Sequence, residues 1–269
     1  MYKPIQPYHM LNKVLQEKIY YKETVIPELS DVLVYMWELG YKEGITGTAV
    51  DIEIPDVCAE FVVSVVGKQI VWGYFSKSEF NMEFPLGEYY IGMKFRPGVF
   101  TALTGVDKNV IKDIMTPIEQ IDPSFDKEHF FTLEYEEMKD YLVSYFVKLA
   151  KQIKSRKYID LFNDIYYDNI QTIDELYDYM ELTPRQVQRL FHKHYGFTPQ
   201  ATLAIMKFTH CVRQLLYKES EKDELVDFYY DQSKFINEFK KHLGITPVQF
   251  VKLRDEVDAL ENKHQKADL

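Results

Sequence analysis

Arg185, Gln188 and Arg189 stand at positions i, i+3 and i+4, so on a helix they share one face. Arg meets guanine O6 and N7 with two parallel hydrogen bonds, and Gln meets adenine N6 and N7 in the same way. That is the chemistry of reading base edges in a DNA major groove. An ordinary solvated face on a helical hairpin would carry the same residue types, and these three residues alone leave both readings open.

Other chemistry is poorly supplied. Residues 1–135 hold two histidines, His9 and His129, neither in a paired spacing, whereas a metal site in a β-rich domain needs a His cluster with a carboxylate. The chain has no G-x-S-x-G, no phosphate-cradling Gly loop and no H-E-x-x-H. Cys58 has no nearby His or Lys to activate it. His192, His194, His210 and Cys211 read as core packing, phosphate contact or solvent exposure rather than zinc ligands. No enzymatic activity, metal or cofactor is expected. Asp56, Glu60 and Arg96 form a candidate ligand-binding cluster, with a structural salt bridge the preferred reading. Trp72, among 21 tyrosines and 18 phenylalanines, is a candidate lining residue for an apolar or planar effector.

The Arg-Gln-Arg face needs a helix beneath it. In "LTPRQVQRLFHKHYG", Thr183 suits the N-cap, Pro184 the first helical position, and Gly196 the left-handed exit. Val187, Leu190, Phe191 and His194 fall on the opposite, core-facing side. Upstream, Thr172–Met180 is a second capped helix with Ile173, Leu176 and Met180 inward. Joined by Glu181–Leu182, the two predict a helix-turn-helix.

Charge agrees with position. The whole chain carries a net charge of −10, but residues 182–254 hold 12 basic and 7 acidic side chains, and residues 182–218 hold six basic and none acidic. Residues 1–150 carry 14 basic and 23 acidic groups, which disfavours anionic effectors there. The absence of a long apolar run and of an apolar leader predicts neither a membrane span nor a signal peptide. Two well-separated cysteines suit a reducing compartment, so a cytoplasmic location is expected.

"LFHKHYGFTP" at Leu190–Pro199 returns as "EFKKHLGITP" at Glu238–Pro247. The second copy predicts another helix with Phe235 and Phe239 inward and Gly244 at its end. Thr198–Leu216 between them has a Thr-Pro start and no later breaker, so it predicts one continuous spacer helix. Successive major grooves on one DNA face lie about 34 Å apart, and two helices on a rigid spacer would read both.

With these motifs in hand, "LTPRQVQRLFHKHYGFTP", the Lys207–Leu216 helix and "YYDQSKFINEFKKHLGITPVQF" resemble the DNA-binding region of AraC/XylS transcriptional regulators, over roughly residues 170–252. The resemblance implies that Arg185, Gln188 and Arg189 contact bases in the first motif, and Gln232, Ser233, Lys234 and Asn237 in the second. Asn237 stands where the family usually has Arg. "KDELVDFYYDQS" is shorter than the family pattern, lacks its Gly, and is preceded or accompanied by acidic Glu219, Glu221, Asp223, Glu224 and Asp227. The first motif is therefore expected to dominate specificity.

The front half alternates short Val-, Ile-, Tyr- and Phe-rich runs with Gly, Pro or charged turns, which predicts an antiparallel β-barrel or sandwich with short helices at Val99–Leu103 and Lys108–Met115. "IPDVCAEFVV" and "IGMKFRPGVFTALTGV" resemble the cupin-like N-terminal sensor of one branch of these regulators. In the next segment, Met138, Leu142, Tyr145, Leu149 and Ile153 form a helical stripe widened by Tyr141 and Phe146, which suggests a homodimer helix. The expected organisation is an α+β multidomain chain: 1–135 β-rich sensing domain, 136–168 helical connector, 169–254 all-α double helix-turn-helix, and 255–269 polar tail. The favoured function is a sequence-specific regulator binding double-stranded DNA, with a small-molecule effector or protein partner at its N-domain, and RNA polymerase as a partner if it activates. The competing reading is a protein-interaction regulator whose second motif binds DNA weakly.

Overall fold

The computed structural model describes residues 19–41, 48–52, 54, 56–74, 81–85, 87–167, 170–217 and 232–256. The front half is an antiparallel sheet with helices, and the back half is helical. Strands β1 (Ile19–Thr24), β2 (Leu33–Tyr41), β4 (Ala59–Ser64), β5 (Gln69–Gly73), β7 (Tyr90–Phe95) and β8 (Thr116–Pro117) form one six-stranded sheet in the order β1-β2-β7-β4-β5-β8. β3 (Thr48–Ile52) pairs with β6 (Asn81–Pro85) in a separate two-stranded sheet. Among the described residues the ladders do not close into a barrel.

One face of the large sheet is covered instead by α4 (Tyr135–Ala150), which follows α1 (Val99–Thr104), α2 (Ile118–Ile121) and α3 (Lys127–Phe130). Phe146 of α4 meets Phe61, Trp72 and Phe95, on β4, β5 and β7, at ring distances of 5.0, 5.8 and 4.7 Å. Burying one such ring contributes about 1.5–3 kcal/mol. Gly92 of β7 lies opposite Trp37 of β2, and a Cβ there would come within 1.8 Å of the indole, so only glycine lets that ring lie across the strand. The helix expected at Lys108–Met115 is a shorter 3-10 turn, Lys108–Ile111, followed by Asp113 in the left-handed region at φ 55°.

The wide stripe of α4 is used within the chain. Tyr145 Oη donates to Asp122 Oδ2 at 2.5 Å, and its ring stands edge-on to Phe125 at 5.0 Å. Tyr141 packs on Phe125 and Phe130. Both rings thus have partners within the chain and remain half-buried. After α4 the chain continues as a second helix, α5 (Lys157–Tyr167), which buries Ile159, Phe162 and Ile165.

The back half contains α6 (Ile173–Met180), α7 (Pro184–Tyr195), α8 (Pro199–Leu216) and α9 (Gln232–Leu243), and residues 247–256 are helical. Among the described residues two buried clusters divide the apolar interior. The larger runs from the sheet through α4, α5, α6 and α7 as far as Met206 of α8. The smaller joins Phe208, Cys211, Val212 and Leu215 of α8 to Phe235, Phe239, Leu243 and Phe250, with Ile54 from the front half inserted.

Candidate nucleic-acid interface

The first helix pair is assembled from local signals. Thr172 Oγ1 accepts from the Glu175 amide at 3.3 Å while Glu175 Oε2 accepts from the Thr172 amide at 3.0 Å, a reciprocal box that starts α6. Hydrogen bonds from the Gln171 amide, at 3.0 Å, and then from the Thr172 amide hold the exposed Glu175 carboxyl below its ordinary range. Leu176 is buried, and Glu181 at φ 51° turns the chain. Thr183 and Pro184 then open α7, where Gln186 Oε1 accepts from the Thr183 amide at 3.0 Å.

α7 has two unlike faces. Val187, Phe191 and Tyr195 are fully buried, and Tyr195 Oη donates to the Tyr158 carbonyl at 2.6 Å. Arg185, Gln188 and Arg189 are all exposed on the other side, as their spacing predicts. His194 stacks on the Tyr158 ring with centroids 3.6 Å apart. Burial, then the neighbouring Lys193 charge, pushes its imidazole down to about 4, so it is neutral near pH 7.

α8 and α9 build the second unit. Thr198 Oγ1 accepts from the Ala201 amide at 3.1 Å and starts α8, whose 18 residues span about 27 Å. In α9, Phe239 packs on Phe208, Phe235 and Phe250 at 5.2, 5.0 and 5.8 Å. Ser233, Lys234 and Asn237 are exposed, and Ile236 is half-buried. Gln232 begins the helix, but its side chain lies outside the described residues, as do residues 218–231 with Glu219, Glu221, Asp223, Glu224 and Asp227. His242 lies 4.5 Å from Phe208 and places Nε2 3.0 Å from Glu238 Oε2, with burial lowering its pKa.

One capped helix pair, the spacer α8 and the helix α9 are therefore present, and residues 176–253 match a family model described as a helix-turn-helix domain. These residues form an AraC-type helix-turn-helix domain. Among solved structures, the chain is similar to apo ToxT from Vibrio cholerae at 9% identity and a TM-score of 0.40, over 87% of this chain and 96% of that one. No curated protein matches the sequence. No helix among the described residues is long and apolar enough to cross a membrane.

The AraC-type domain does not stand apart from the front half. Asn109 Nδ2, Thr101 Oγ1 and Tyr74 Oη donate to the carbonyls of His192, Lys193 and Gly196 at 2.9, 3.1 and 3.0 Å. Sequence reasoning missed all three donors. They lie in no periodic pattern, and only the folded chain brings them to the end of α7.

The four candidate ligand residues of the front half fall in two places. Trp72 is 1% exposed and enclosed by Phe61, Phe95, Phe100 and Phe146, so it is a core residue rather than the wall of an open site. Asp56 and Glu60 do come together, but around Lys94, whose Nζ lies 2.7 and 2.6 Å from their carboxylates. Arg96 Nε donates to the Ser30 carbonyl at 2.9 Å. The preferred salt bridge is present with a different cation, Lys94 of β7 in place of Arg96 two positions along, a choice that strand alternation does not make. Burial pushes the Cys58 thiol well up, which leaves it protonated and inert.

Proposed function

We propose that this chain is a sequence-specific DNA-binding transcription regulator that reads bases with α7 and, more weakly, with α9. The observation that carries this reading is the exposed Arg185, Gln188 and Arg189 on the second helix of a helix-turn-helix domain, over a buried Val187–Phe191–Tyr195 back. Gln232, Ser233, Lys234 and Asn237 are assigned to the second groove. The working organisation is a sensing domain at 1–135, a connector at 136–168, the DNA-binding domain at 169–254 and a polar tail at 255–269. A small-molecule or protein signal at the N-domain, a homodimeric state and contact with RNA polymerase belong to the same proposal, which assigns the chain binding rather than catalysis.

The test is selection of duplexes from a random-sequence library by the full chain, followed by affinity measurement against the selected and a scrambled duplex across a salt series. Specific binding should exceed non-specific binding by at least about 1,000-fold. Equal affinity for both duplexes would sink the proposal.

A further inference from the structure

The last turn of a helix leaves backbone carbonyls that no later helical amide reaches. In α7 the carbonyls of His192, Lys193 and Gly196 at this end take hydrogen bonds from Asn109, Thr101 and Tyr74, the His192 carbonyl also accepting from the Gly196 amide at 3.0 Å. Asn109 lies in the 3-10 turn Lys108–Ile111, Thr101 on α1, and Tyr74 directly after β5.

Each donor is itself held. Asp107 Oδ1 accepts from both the amide and Nδ2 of Asn109, at 2.9 and 2.8 Å. Thr101 is buried. The Tyr74 ring lies 4.3 Å from Lys108 Nζ, which donates to the Val57 and Cys58 carbonyls at 2.6 and 2.8 Å. Gly196 completes the fit, since a Cβ there would come within 2.0 Å of Tyr74 Oη. At the equivalent Gly244 a Cβ would meet nothing within 4 Å among the described residues.

We propose that Tyr74, Thr101 and Asn109 are positioning residues for base reading, a role that rests on the DNA-binding function proposed above. They grip α7 at its C-terminal end, while Arg185, Gln188 and Arg189 project from its N-terminal half. α7 has 12 residues and is about 18 Å long, so about 10° of play at the gripped end moves Arg185 by about 3 Å. Paired hydrogen bonds to a base edge tolerate about 0.5 Å. Attraction to phosphates tolerates far more, because it is long-ranged and carries no sequence information. Loosening the grip therefore removes selectivity and leaves non-specific binding.

The experiment compares the full wild-type chain with the triple variant Tyr74→Phe, Thr101→Val, Asn109→Ala, which keeps the buried shapes. Affinities for the selected and scrambled duplexes are measured at one salt concentration, with amide hydrogen exchange in α7 and α9 followed without DNA. The specific-to-scrambled ratio should fall by roughly 10-fold, the scale of losing one base contact, with scrambled-duplex affinity unchanged. Exchange should rise in α7 and not in α9, and Thr101→Ser alone should keep the wild-type ratio. If the triple variant does not fold, Asn109→Ala, at an exposed position, should lower the ratio in the same direction. An unchanged ratio in a folded variant, while Arg189→Ala lowers it, overturns the positioning role and leaves DNA reading standing. A wild-type chain that prefers no duplex removes both, whatever the exchange shows.

Discussion

α7 and α9 come from two copies of one motif, yet they live in different surroundings. α7 is continuous with the large interior cluster and held at its C-terminal carbonyls by the sheet half. Among the described residues α9 shares a phenylalanine-rich cluster with the end of α8, and Ile54 enters it from the front half. The dividing line falls inside α8, between Met206 and Phe208, rather than at a loop. A repeated motif thus specifies a helix, its cap and its outward face, while the neighbours decide how firmly that face is aimed.

The largest expected contrast is in stability. Phe239→Ala should cost about 3–5 kcal/mol and should act on the second unit alone. Denaturation followed by helical circular dichroism should then split from the fluorescence of Trp37 and Trp72, which lie in the sheet. Coincident transitions would show one cooperative interior and erase the difference between the two units.

Next comes the pair of closing glycines, both left-handed at φ 77° and 68°. Gly244→Ala should cost about 1–2 kcal/mol, from backbone conformation alone. Gly196→Ala adds the collision with Tyr74 and a lost hydrogen bond, for about 3–5 kcal/mol in total. Equal losses in urea titrations would mean that Tyr74 moves aside freely.

On DNA, Arg189→Ala should cost about 1–3 kcal/mol of specific binding and relax preference at one base position. Asn237→Ala should cost less, because Asn237 stands where the AraC/XylS pattern has Arg. A larger loss at Asn237 in the same duplex titration would reverse the order of the two readers.

The smallest effect concerns the equivalent histidines. His194 ionises near 6.5 when unfolded and about 4 when folded, with Lys193 opposing its charge and Asp107 favouring it. Below pH 6.5 the unfolded chain takes up a proton that the folded one refuses, so stability declines from pH 6.5 towards 4 and is full above that window. His194→Phe, which keeps a ring on Tyr158, should flatten melting temperature against pH in that range. An unaltered slope would place the acid sensitivity at His242, whose pKa is also lowered by burial, or elsewhere.

Most of the helix-turn-helix architecture was legible from residues close in sequence. Caps such as Thr172–Glu175 and Thr183–Gln186, the inward run Val187–Phe191–Tyr195, the exposed Arg-Gln-Arg face and the glycine exits all follow from interactions within a turn or so of helix. The antiparallel character of the front half was legible in the same way, from alternation and turns. What the tertiary structure alone decided involves distant residues. Tyr74, Thr101 and Asn109 reach α7 across 122, 92 and 83 positions, and no local periodicity marks a residue for such a contact. Lys94 rather than Arg96 joins Asp56 to Glu60, and Trp72 is sealed among four rings rather than facing a ligand. Local hydrogen bonding and side-chain period are written along the chain, whereas the partner of a buried charge or ring is set by which surfaces the whole fold presses together.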